Sequence, residues 1–397
     1  MRSISAVLVA FAFLFMGAVQ SGKQVIRAGP DLKYPFSPAI KAGNFIYVSG
    51  TMATDDSGKV VPGDVKVQTR RTLENIALVL KAAGSSLQNA VSVTVYLKNI
   101  SDFQAMNEVY GTFWPKDPPV RTTVGANLVL PGGVVEISMI AVANGAERRV
   151  ILPAGWMKSP SPYSYGIISG DTLFLTGLVS RNGKDNSVIE GDMKAQTKVV
   201  MENAGEILKA AGLSHDQVVS SRVYIADTRL FEEMNGSYRS YFPKNPPARA
   251  TVRAALVDPK YLVEITMLAV KGSREAIVPP NADGSPAQPN PNLSPAIRVG
   301  NRLYLSGMLG NTASNKGDIK AQARETLVRI GRAVTTAGFN WDNVVDGVVY
   351  ITDVKNFTGM NEAYREVFAK DFPARATVET GLMNPDGLVE IMFTAVR

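Results

Sequence analysis

The sequence predicts an α+β protein of three tandem domains, each with the element order β(β)αβαββ. Three observations predict it. First, one long motif occurs three times: "PPVRTTVGANLVLPGGVVEI" (118–137), "PPARATVRAALVDPKYLVEI" (246–265) and "FPARATVETGLMNPDGLVEI" (372–391). Second, the copies lie 128 and then 126 residues apart, too long for a solenoid repeat and long enough for each copy to own a core. Third, the apolar pattern inside a copy switches between strand and helix periods.

The first copy gives the elements in order. "NFIYVSG" (44–50) is a short apolar strand bounded by glycines. In "GDVKVQTRRTLENIALVLKAAG" (63–84), Leu73, Ile76, Leu80 and Ala83 recur at helical spacing, with Gly84 as the stop. "AVSVTVYLKN" alternates Val91, Val93, Val95 and Leu97 against Ser92, Thr94, Tyr96 and Lys98, a strand period. "SDFQAMNEVYGTFW" is a second helix, with Ser101 or Asp102 as its cap and Phe103, Met106, Tyr110 and Phe113 on one face. Two strands carrying Arg121 and Glu136 follow, and they read as neighbours.

Alternation also assigns faces. In "GVVEISMI", Val135, Ile137 and Met139 share one face, and Glu136 and Ser138 share the other. The helices belong on the apolar face. The glutamate face is then where the three domains meet, around a pseudo-threefold axis with sheets inside and helices outside. The expected bounds are 22–146, 147–272 and 273–397, with Pro-rich joints such as "GSREAIVPPNADGSPAQPNPN".

The spacing of the polar residues is nearly constant. The arginine precedes the glutamate by 15 residues in Arg121 and Glu136, Arg249 and Glu264, and Arg375 and Glu390. Asn107, Asn235 and Asn361 each precede their arginine by 14. Gln68, Gln196 and Gln322 lie on the first helix and read as packing or capping residues. The aromatic residues of "YVSG", "FLTG" and "YLSG" read as strand core.

Composition narrows the chemistry. The chain has 397 residues, 45% hydrophobic and 19% charged, normal for globular material. There is no cysteine, which removes disulfides, thiolate catalysis and cysteine metal sites. The single histidine, His215, follows a Gly-Leu-Ser turn and reads as an exposed loop residue, leaving neither a histidine metal cluster nor a nucleophilic triad to be built. The net charge of +7 is spread without a basic run, which argues against a nucleic-acid partner. At the N-terminus, "AVLVAFAFLFMGAV" follows Met1-Arg2 and precedes small residues. It reads as a signal peptide (1–21) cleaved near Ser21, hence an exported, periplasmic or secreted protein, with an uncleaved membrane anchor as the alternative.

The whole constellation resembles the RidA family, also called YjgF or L-PSP. The resemblance covers nearly all of the three repeats. It rests on the Ser/Thr-Gly after the first strands, the helix-one Gln, Met-Asn on helix two, the arginine motif and the Val-Glu-Ile strand. It implies a chorismate-mutase-like fold and a trimer with sites between subunits, realised here as one monomeric chain closing on itself. It also implies hydrolysis of 2-enamine and 2-imino acids to 2-keto acids and ammonia, with neither metal nor cofactor. Carried over, Arg121, Arg249 and Arg375 hold the substrate carboxylate, and Glu136, Glu264 and Glu390 activate water or move protons. Asn107, Asn235 and Asn361 support the site, beside Ser49-Gly50, Thr176-Gly177 and Ser306-Gly307. The family's Pro-Tyr-Ser tyrosine is kept as Tyr163 only; Phe36 and Leu293 replace it, and Thr176 replaces a serine, so the sites are expected to be unequal. Two other readings stay open: an exported metabolite- or client-binding module without turnover, and an RNA-cleaving member of the family.

Overall fold

The structure, a computed structural model, describes residues 22–29 and 33–397; the expected signal segment lies outside the described residues. Unit one contains β1 (Gln24–Ile26), β2 (Ala39–Ala42), β3 (Phe45–Thr51), α1 (Val65–Ala82), β4 (Ala90–Leu97), α2 (Phe103–Phe113), β5 (Val120–Gly125), β6 (Asn127–Leu128) and β7 (Val135–Val142). Units two and three repeat this plan, with helices α3 (Met193–Ala210) and α4 (Phe231–Tyr238), then α5 (Ile319–Thr336) and α6 (Asn356–Val367).

Local chemistry explains the helices. The Asp64 carboxylate caps α1 by accepting from the Val67 N–H, and Asp192 and Asp318 do the same for α3 and α5. The α2 start differs from expectation. Asp102 stands at the N-cap without a side-chain bond; Asn99 instead caps a preceding 3₁₀ turn by accepting from the Ser101 N–H. Leu73, Ile76 and Leu80 of α1, with Met106 and Tyr110 of α2, close onto Val93, Val95 and Ile137 of the sheet. Each such aliphatic side chain contributes about 1.5–3 kcal/mol on burial.

Unit one's sheet runs β1-β2-β3-β7-β4-β5. Strand β4 therefore lies between β7 and β5, and the strands of Glu136 and Arg121 are not neighbours as expected. All eight residues of β4 are buried. Val93, Val95 and Leu97 meet the helices as expected, but a bulge between Ala90 and Ser92 turns Val91 to the side that faces the other units, where it packs with Ile167 and Phe174. Tyr96 of β4 and its counterparts Tyr224 and Tyr350 are buried where the three units converge, with the Tyr224 and Tyr350 hydroxyls 3.3 Å apart.

The units touch in a closed cycle. Strand β6 of unit one pairs with Val378–Glu379 of unit three, and Gly381–Leu382 of unit three pairs with Val252–Arg253 of unit two. Ala255 of unit two bridges Gly125 of unit one. These edge pairings satisfy backbone groups that a lone unit would leave open. Tyr47, Phe174 and Tyr304 are strand core, but core between units: each packs with residues of a neighbouring unit.

The three glutamines are packing residues. The Gln68 amide donates to the Val61 and Gly132 carbonyls and accepts from the Val134 N–H, tying α1 to the loop that leads into β7. Gln196 and Gln322 repeat the arrangement. His215 departs from its expected exposure. It is half-buried in a 3₁₀ turn, against the Tyr241 and Phe242 rings, with Nε2 3.1 Å from the Met201 carbonyl. Burial lowers its pKa from the ordinary histidine value.

Candidate active sites

Register shows why the arginine and glutamate of one repeat do not meet. Arg121 lies opposite Val93 on β4, and Glu136 lies opposite Tyr96. Paired residues point to the same side of a sheet, and residues three apart along a strand point to opposite sides. Val93 faces the helices and Tyr96 faces the other units. The expected pairing of Arg121 with Glu136 at one cleft is therefore corrected: the two side chains leave opposite faces of one sheet. Each belongs to a different site.

Three composite sites result, each with the arginine of one unit and the glutamate of the next. Arg121 faces Glu264, Arg249 faces Glu390, and Arg375 faces Glu136. All six are nearly fully buried.

The arginines are held by aromatic rings. The Arg375 guanidinium carbon lies 4.7 Å from the Tyr364 ring centre, 5.7 Å from Phe36 and 5.8 Å from Phe357. Arg121 sits on Tyr110, Phe103 and, at 5.9 Å, Tyr163. Arg249 has only Tyr238 and Phe231, because Leu293 supplies no ring. Such contacts restrain a guanidinium while leaving its N–H groups free. Asn361 Oδ1 accepts from Arg375 Nη2 at 2.8 Å, and Asn235 Oδ1 from Arg249 Nη2 at 2.6 Å. At the first site Asn107 Oδ1 has no partner. Buried guanidinium nitrogens remain unpartnered at every site: Nη1 of Arg121, Nε and Nη1 of Arg249, and Nε of Arg375. An unmet buried donor costs about 1–3 kcal/mol, which an incoming acceptor can recover.

The Ser/Thr-Gly residues lock the units together at each site. Ser49 Oγ donates to the Ser37 carbonyl and accepts from the Arg375 N–H at 2.8 Å. Ser306 does the same between Ser294 and Arg249. Thr176 differs, as its hydroxyl donates to the Arg121 carbonyl at 2.7 Å. The glycine that follows is required by close approach. A Cβ on Gly50, Gly177 or Gly307 would lie 2.0, 1.9 or 2.0 Å from Oε1 of Glu136, Glu264 or Glu390.

The glutamates are shifted alike. Burial pushes Glu136, Glu264 and Glu390 up to about 8, opposed by the backbone N–H of Thr377, Thr123 or Thr251 and by the facing arginine. Burial thus favours the protonated form of each. Burial lowers Arg375 to about 10, still charged at neutral pH. Each site thus sets a cation with open N–H groups across from a carboxylic acid that can give up a proton near neutrality.

The sequence profile of the family described as Endoribonuclease L-PSP matches residues 27–143, 156–271 and 285–397. The chain belongs to that family. Among L-PSP relatives, a RutC family protein of Pyrococcus horikoshii is 45% identical over 108 residues, covering 27% of this chain and 86% of its own. The 3-aminoacrylate deaminase RutC of Acinetobacter baylyi is 39% identical over 108 residues, with the same two coverages, 27% and 86%. Each aligns with about one L-PSP unit of this chain. A solved chorismatase covers 78% of this chain and 93% of its own at a TM-score of 0.52 and 14% identity, a likeness of fold alone.

Proposed function

We propose that the protein is a deaminase that hydrolyses 2-imino acids, and the 2-enamine acids in equilibrium with them, to 2-keto acids and ammonia. One observation carries this reading: at each of three sites a buried arginine with unpartnered N–H groups faces a buried glutamic acid whose pKa burial raises to about 8. The arginine binds the substrate carboxylate, the acceptor its geometry suits best. The glutamic acid gives its proton to the enamine Cβ or the imine nitrogen, making C2 electrophilic. As a carboxylate it then takes a proton from water as the oxygen adds to C2. Collapse of the resulting carbinolamine expels ammonia and leaves C=O where C=N stood. The likeness to a relative named 3-aminoacrylate deaminase supports the same chemistry.

The test generates imines in situ with an L-amino-acid oxidase and follows ammonia or 2-keto acid release. The purified protein is expected to accelerate release, and the triple variant R121A/R249A/R375A to lose that acceleration. A wild-type rate equal to the spontaneous one would overturn the proposal. We further propose that one chain closes into a complete pseudo-trimer, with no metal or cofactor, and that the protein is exported. A solution mass near that of one chain and recovery from the extracytoplasmic fraction test these points.

A further inference from the structure

The three sites share their chemistry but differ in the space beside it. Next to Arg375 and Glu136 lies a cavity of about 650 Å³, reached between units three and one. The matching cleft in unit two, which adjoins the Arg121–Glu264 site at Tyr163 and Gly177, retains about 20 Å³. Trp156 and Arg181 line that small cleft. Trp156 lies against Gly183 and the Tyr165 ring, and the Arg181 guanidinium sits over Tyr261 and bonds its hydroxyl.

One side of this cavity is apolar, with Met52, Leu78, Val129 and Leu130, and its rim is charged, with Arg27, Asp55, Asp56, Lys370 and Asp371. Leu78 of α1 lines it at 58% exposure, and Leu130 joins it from the loop after β6. At the positions matching Leu78, units two and three carry Glu206 and Arg332. At those matching Leu130 they carry Asp258 and Asn384. Asn75 of the wall is replaced in unit three by Arg329, whose guanidinium is spent on Glu325 and the Leu309 carbonyl. An apolar wall beside a fixed carboxylate anchor accepts a substrate with a bulky apolar side chain. A filled cleft does not.

The geometry points to a division of labour: the Arg375–Glu136 site is the one that takes carboxylates with large aliphatic or aromatic side chains, while the Arg121–Glu264 site takes small ones. This rests on the reading above only in that Arg375 holds the carboxylate. Binding tests it without requiring turnover. Calorimetry with 4-methyl-2-oxopentanoate, the keto acid of leucine, is expected to give one equivalent per wild-type chain, retained in R121A and R249A and lost in R375A. A second variant, L78E/L130D, changes only the wall. It is expected to lower the ratio of leucine-imine to alanine-imine hydrolysis about tenfold or more. Two or three equal equivalents, binding that survives R375A, or an unchanged ratio in L78E/L130D would overturn the inference. One equivalent lost in R375A, with no imine hydrolysed by the wild type, would uphold it and remove the deaminase reading. Hydrolysis without any preference between the two imines would do the reverse.

Discussion

Glu136 faces Arg375, 239 positions along the chain, and not Arg121, 15 positions away. A double-mutant cycle should report this. E136Q and R375A remove parts of one site, so their combined effect on kcat/KM should fall well short of the product of the two. E136Q and R121A strike different sites, so their combined loss should equal the sum of the two separate losses, since the sites add their rates. The measurement is the full cycle on one imine substrate. Strong coupling of E136Q to R121A would show that the pairing is within a repeat.

The glycines of the Ser/Thr-Gly pairs set a steric limit. Gly50→Ala places a methyl 2.0 Å from Glu136 Oε1, within the same unit, so the carboxyl must move. The expected result is loss of the third site's turnover by at least tenfold, seen as loss of R375-dependent rate, with destabilisation of about 1–3 kcal/mol from overpacking. Rate and denaturant midpoint, measured together, check both parts.

The pH–rate profile should show an acid limb on the high side. The three glutamic acids titrate near 8, raised by burial. The proton donor is present below that value and lost above it, so kcat/KM should decline through about pH 8. A profile flat from pH 6 to 10 would remove glutamic acid as the donor.

The same shift predicts a stability change of defined sign. The folded value near 8 exceeds the ordinary carboxyl value of 4.5. Between these values the folded state binds more protons than the unfolded state. Stability from this source is therefore full below pH 4.5 and is lost as pH rises through about 8. Between pH 6 and 9, the melting temperature of wild type should fall relative to that of the triple variant E136Q/E264Q/E390Q, whose amides do not titrate. Parallel curves would contradict the shift.

The glutamine staples are a purely structural prediction. Gln68→Leu removes three hydrogen bonds and strands the Val61 and Gly132 carbonyls and the Val134 N–H. The expected cost is about 2–4 kcal/mol, read in a denaturant titration. Turnover per folded molecule should be little changed, because no atom of Gln68 lies in a site.

Much of this protein was legible in its sequence. The repeats, the helix faces of Leu73 and Met106, and the outward turn of Glu136 all follow from residue periods, because a strand or helix imposes its period locally. The candidate residues were legible too, since duplication left Asn, Arg, Glu and Ser/Thr-Gly at nearly constant spacing. Other features were not. The cap at Asn99 was missed because several nearby polar residues compete for one turn. His215 read as exposed because the rings of Tyr241 and Phe242 reach it from elsewhere in the unit. The wall positions Leu78 and Leu130 carried a signal, an apolar residue where the other repeats carry a charged or amide side chain, but alone it looks like an unremarkable surface leucine.

Local order therefore came from the sequence by itself: three α+β units, their faces, and the residue types that the candidate sites bring together. The tertiary structure decided which residues meet. Spacing along a chain says nothing about the order of strands in a sheet, and β4 between β5 and β7 sends Arg121 and Glu136 to opposite faces. Each unit is then half of two sites and the whole of none. Closing the cycle supplies the missing halves, and buries the glutamic acids deeply enough to raise their pKa.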